Sequence, residues 1–158
     1  MIKLMDPIIK SHKVDISTGL NVHYLEALKN NNKIDSQPTV LLLHGFPELS
    51  FSWRKIMPIL ANEGFRVIAP DMRGYGLTSG GVKKYNVDIS EYRLLNLTTD
   101  ILSLLSVLKI NKIDLLVGHD AGSSVAGISA LIRPDIFKSV VMMSAPFTGA
   151  PNVESNLS

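Results

Sequence analysis

Several short, continuous apolar runs, separated by stretches of helical period, constrain this fold more than any other feature of the sequence. Thr39 to Leu43, Arg66 to Ala69, Ile113 to Val117 and Ser139 to Ser144 each have the length of a strand. Apolar runs this short, with little polar alternation, suit strands covered on both faces. Three helical stretches fall between them. The first runs from Trp53 to Asn62 and ends at Gly64, with Pro58 confined to an early turn because it has no N–H to donate. The second carries Leu94, Leu97, Ile101, Leu104, Leu105 and Leu108 in helical period, and Asp88 and Glu91 stand at capping-box spacing ahead of it. The third spans Ser123 to Arg133 and is closed by Pro134. Strands alternating with helices in this way predict βαβ units: an α/β fold with a mostly parallel sheet and helices on both faces.

Upstream, the alternating runs on either side of Thr18-Gly19 predict an antiparallel hairpin at one sheet edge. Lys29 to Gln37 and the glycine-rich segment DMRGYGLTSGG are expected to be loops. The 158 residues are 46% hydrophobic and 19% charged, which fits one globular domain with a sizeable core. Sixteen basic and 14 acidic residues are spread along the chain, so no charged patch points to nucleic acid or a membrane surface, and a small molecule is the expected partner. With no cysteine, disulfides and thiolate metal sites are excluded. The first ten residues lack a signal-peptide pattern and no apolar run has bilayer length, so a cytoplasmic location is expected. Trp53 and the methionines are assigned to the core.

The third buried run ends in Gly118-His119-Asp120-Ala121-Gly122 and passes directly into a helix. Two readings compete for Asp120. It is the N-cap of that helix, accepting backbone N–H bonds, or it is a nucleophile thrust out at a sharp strand-to-helix turn that only small neighbours permit. A second loop, His44-Gly45-Phe46-Pro47-Glu48, follows another buried strand and favours the nucleophile. The N–H groups of Phe46 and Ala121 are placed to form an oxyanion hole beside it.

With these motifs in view, HGFPELSFSWRKIMPIL, FRVIAPDMRGYGLTS, VGHDAGS and RPDIFKSVVMMSAPF resemble the epoxide hydrolases of the α/β-hydrolase superfamily. The resemblance implies the α/β-hydrolase fold, Asp120 as nucleophile, and Phe46 and Ala121 as oxyanion-hole donors. It implies an epoxide opened to a vicinal diol through an alkyl ester, with water as second substrate and no cofactor or metal. A carboxylate is already ionised and can displace a leaving group at saturated carbon, which suits this chemistry better than serine.

The chain also departs from the family pattern. The superfamily order is nucleophile, acid, histidine, yet His12, His23, His44 and His119 all precede Asp120. Tyr24, Tyr75, Tyr85 and Tyr92 also precede it, whereas the resemblance implies two tyrosines from a later helical cap. Of the later acids, Asp135 is read as a solvated turn residue and Glu154 as part of a polar tail. Residues 1–158 are therefore expected to be the N-terminal part of one α/β-hydrolase core, with the cap, the last strands and the catalytic histidine and acid absent and turnover lost. SVVMMSA would then be a bare sheet edge open to self-association. The alternatives are a haloalkane or haloacid dehalogenase using the same aspartate, which Ala121 disfavours, or a catalytically dead interaction domain. His44 is the histidine considered for a substitute catalytic role. His12 and His23 are expected to be partly exposed strand residues.

Overall fold

The structure is a computed structural model that describes residues 9–29, 37–82, 86 and 88–145. Six strands and three α-helices follow in the order β1 (Ile9–Asp15), β2 (Asn21–Ala27), β3 (Thr39–Leu43), α1 (Met57–Asn62), β4 (Arg66–Pro70), α2 (Leu94–Val107), β5 (Leu115–His119), α3 (Ala121–Ile132) and β6 (Val140–Met143). They form one sheet in the order β1-β2-β4-β3-β5-β6. β1 and β2 pair antiparallel, as the alternating runs predict, and β2 joins β4 antiparallel. The β4-β3-β5-β6 ladder is parallel throughout.

Strand periodicity divides the apolar runs between two cores. All five residues of β3 are buried. Val40 and Leu42 face one side, joining Val67, Ala69 and Val117 beneath Met57 and Ala61 of α1. Leu41 and Leu43 face the other, where Ile68 and Leu116 meet Ile101, Leu104 and Leu105 of α2 and Val125 and Ala126 of α3. Successive side chains on a strand point to opposite faces, so one uninterrupted run serves both layers. Each fully buried leucine contributes about 1.5–3 kcal/mol. Together the run anchors the middle of the sheet.

The structure corrects three local expectations. The stretch read as one helix from Trp53 is split into a 3-10 segment, Ser50–Lys55, and α1, which starts at Met57 so that Pro58 falls in its first turn. The Asp88–Glu91 pair does not cap α2, whose N-cap is Arg93. Asp88 instead accepts from the N–H and hydroxyl of Ser90, starting a separate 3-10 turn, Ser90–Tyr92. Of the methionines, Met57 and Met72 are buried but Met143 is exposed on β6; Met1 and Met5 lie outside the described residues. Most of the Lys29 to Gln37 segment and Tyr85 also lie outside them.

Connectivity locates the crevice. From β3 the chain crosses to β4 on one side and then returns to place β5 on the other. In open α/β sheets ligands bind beyond the carboxyl ends of strands that diverge in this way. The loops emerging there, after β3 and after β5, are the two singled out from the sequence.

Candidate active site

Asp120 ends β5 and precedes α3 with φ 50° and ψ −118°. A non-glycine residue held in such a region carries strain on the order of 1–3 kcal/mol, which the surrounding packing must offset. Here the surroundings leave little choice. A Cβ on Gly122 would stand 2.5 Å from the carbonyl oxygen of Leu43, and one on Gly118 would collide with the backbone of Gly122. The turn can therefore press against the end of β3 only with glycine at both positions. Ser123, fully buried, ties the turn to β6: its hydroxyl lies 2.7 Å from Gly118 O and accepts the Met143 N–H at 3.0 Å.

The Asp120 side chain makes no capping bond to α3. Its Oδ1 instead accepts the Phe46 N–H from across the crevice at 2.9 Å. The backbone N–H groups of Phe46 and then Ala121, aided by the positive potential of His119, hold the carboxyl below the usual carboxylate range against the opposing effect of desolvation. Asp120 is accordingly ionised at neutral pH. Gly45 belongs to the same contact, since a Cβ there would come within 2.6 Å of the Asp120 Cβ. The Phe46-Pro47 peptide bond in this loop is cis.

Two residues that spacing did not single out fix the loop. Glu48 Oε2 accepts from His119 Nδ1 at 2.9 Å, joining the loop after β3 to the residue before Asp120. Tyr75, whose hydroxyl is pushed up by burial and by the negative potentials of Tyr92 and Asp120, packs edge-on against His44. Both contacts join segments far apart in sequence, so no local pattern announces them.

His44 is fully buried and both its ring nitrogens are committed. Nε2 accepts the Met72 N–H at 3.0 Å, so Nδ1 carries the proton and donates to Gly45 O at 2.9 Å. Its role is to pin the loop after β3 to the loop after β4. Burial lowers its pKa, against the raising effects of Gly45, Asp71 and Glu48. Because the folded pKa lies below the unfolded value, His44 favours the fold fully above the unfolded pKa. That contribution is lost as pH falls toward the folded pKa. Urea denaturation between pH 7.5 and 5 is expected to show stability beginning to fall below about pH 6.5, and H44Q should lose this segment of the pH dependence.

His23, expected to be partly exposed, is buried at 6% exposure and bonded to Asp71. Asp71 and Arg73 tie down the glycine-rich loop. Asp71 accepts the N–H groups of Ser50 and Leu77, and Arg73 pairs with Asp100 and Glu91. Asp135 is a surface turn residue paired with Arg133.

The parallel sheet, the crossover helices and this turn define an α/β hydrolase, and the chain belongs to that family: the alpha/beta hydrolase fold matches residues 38–156. Within it, the chain is similar to epoxide hydrolases. It is 44% identical over 134 residues to the epoxide hydrolase of Caballeronia sordidicola, covering 84% of this chain and 37% of that protein. It is 42% identical over 114 residues to epoxide hydrolase 3 of Siraitia grosvenorii, covering 72% and 34%. The crystal structure of an epoxide hydrolase from Vigna radiata superimposes with a TM-score of 0.74 at 37% identity, covering 88% of this chain and 41% of that one. The chain thus spans little more than a third of the length of the curated relatives it matches. No helix among the described residues is long and apolar enough to cross a membrane.

Proposed function

We propose that Asp120 is the nucleophile of an epoxide-opening site. Its Oδ2 attacks a ring carbon of the epoxide, the carbon–oxygen bond on that carbon breaks, and an alkyl ester of Asp120 forms while the alkoxide takes a proton from its surroundings. Oδ1 becomes the carbonyl oxygen of that ester. Attack of water on the ester carbon would then place negative charge on Oδ1, which already accepts the Phe46 N–H, with the Ala121 N–H as the second proposed donor. The Phe46 N–H bonded to Oδ1 carries this reading, because the donor addresses the oxygen that gains charge in the second step.

Hydrolysis of the ester needs a base to activate water. No histidine follows Asp120, and His44 has no free ring nitrogen. The 158-residue chain is therefore expected to be alkylated without turning over. Incubation with a small terminal epoxide, followed by intact-mass and peptide analysis, tests this. One added epoxide mass on the peptide bearing Asp120 supports the reading; a chain that stays unmodified, or is alkylated elsewhere, refutes it.

A separate surface bears on assembly. β6 is the last strand of the sheet among the described residues, with Val141 and Met143 44% and 42% exposed. Such an edge offers unpaired backbone groups beside apolar side chains. We propose that the 158-residue chain self-associates through β6, and V141K is expected to weaken that association. Sedimentation velocity that finds the unaltered chain monomeric at every concentration would dismiss the idea.

A further inference from the structure

Away from Asp120, three side chains form a hydrogen-bonded relay. Ser11 Oγ lies 2.8 Å from His23 Nε2, and His23 Nδ1 lies 2.7 Å from Asp71 Oδ2. They come from three different segments. Ser11 is on β1, His23 on the neighbouring β2, and Asp71 immediately follows β4. In the β1–β2 register Lys13 stands opposite His23, so Ser11 is its diagonal neighbour on the same face.

The protons can be assigned by elimination. Asp71 also accepts the N–H groups of Ser50 and Leu77, and those bonds together with the His23 contact outweigh desolvation and hold its carboxyl below the usual range. A carboxylate only accepts, so His23 Nδ1 carries a proton, and in the neutral imidazole Nε2 is then the acceptor that faces the Ser11 hydroxyl. An acid thus fixes the tautomer of a histidine whose other nitrogen faces a serine. Nucleophile and base are within hydrogen-bond reach, and a third group orients the base.

Exposure divides in a way that suits reaction. His23 and Asp71 are 6% and 3% exposed, whereas Ser11 is exposed on the outermost strand of the sheet. The base and its acid are sheltered, and the hydroxyl is open to solvent.

We propose that Ser11, His23 and Asp71 form a second nucleophilic site, independent of Asp120, that accepts acyl or phosphonyl groups from small activated esters. Ser11 Oγ bonds to the acyl carbon, the bond from that carbon to the leaving alcohol breaks, and the hydroxyl proton passes to His23 Nε2 and on to the departing alkoxide. With a fluorophosphonate, the oxygen–phosphorus bond forms and fluoride leaves.

The test treats D120N with a small alkyl fluorophosphonate, so that Asp120 takes no part. Ser11 is expected to be labelled about 100-fold faster than other exposed serines, the contribution of a positioned general base, and S11A should lose that label. H23Q should lose it as well, but it alters a buried group, so a second measurement avoids dependence on its folding. The chain has no cysteine, and S11C would place its sole thiol against His23. Alkylation of S11C by iodoacetamide at pH 7 should exceed that of K10C, on the same strand, by about ten-fold, since an unassisted thiol is only a few per cent ionised there. Equal labelling of Ser11 and other surface serines, or equal alkylation of S11C and K10C, would overturn the proposal and leave Ser11 as a plain hydrogen-bond partner of His23.

Discussion

D120N is expected to abolish the epoxide adduct while leaving the fold intact. Asparagine has nearly the same shape, its carbonyl oxygen can still accept the Phe46 N–H that now meets Oδ1, and it tolerates positive φ better than most residues. What it lacks is the anionic oxygen that attacks carbon. Removing the nucleophile of a covalent mechanism lowers rates by on the order of 10⁴- to 10⁶-fold, so adduct formation should fall below detection while the urea midpoint changes little. The unaltered chain supplies a second check. Because Phe46 and Ala121 hold the Asp120 carboxyl low, the reactive ionised form persists as pH falls. The alkylation rate should stay flat from neutral pH to about pH 4 and decline only below it. An adduct that survives in D120N, or a rate that halves near pH 6, would assign the chemistry to another group.

The architecture was legible because it follows from periodicity. The β3 run could be placed without its neighbours, since an apolar run too short for a helix and bounded by polar residues has few other uses. The β1–β2 hairpin announced itself by alternation. Asp120 was legible for a related reason: glycines two residues to either side relieve a steric conflict, and that conflict leaves its mark in the local sequence. Other features depend on where distant segments meet. Nothing local to SHKVDIS or NVHYLEA distinguishes Ser11 and His23 as partners, and the burial of His23 is decided by Asp71, 48 residues away. The Glu48–His119 contact spans 71 residues and was equally hidden. The Asp88–Glu91 pair misled for the opposite reason. Its spacing satisfied a capping box, but Ser90 lies closer to Asp88 and captures its carboxylate for a tighter turn.

R73M is expected to destabilise the fold strongly, and its pairing with D100L shows why. Arg73 donates from Nε and Nη2 to the two carboxylate oxygens of Asp100, each at 2.8 Å, with the two side chains only 8% and 7% exposed. Its third bond reaches Glu91, whose side chain is 68% exposed. Methionine fills much of the same volume but strands Asp100 as a buried charge with only the Thr18 hydroxyl bonded to it. Breaking a buried pair in this way costs about 3–5 kcal/mol, which should appear as a lower urea midpoint at unchanged slope. E91A, acting at the exposed end, should cost less than about 1 kcal/mol. The double variant R73M/D100L removes both charges and with them the desolvation penalty, so it is expected to recover most of the stability lost in R73M. Arg73 also follows Met72, whose N–H bonds His44, and it helps fix the loop facing the Asp120 crevice. A double variant as unstable as R73M would therefore mean that the forked geometry of the pair, rather than its charge balance, sets the shape of that loop.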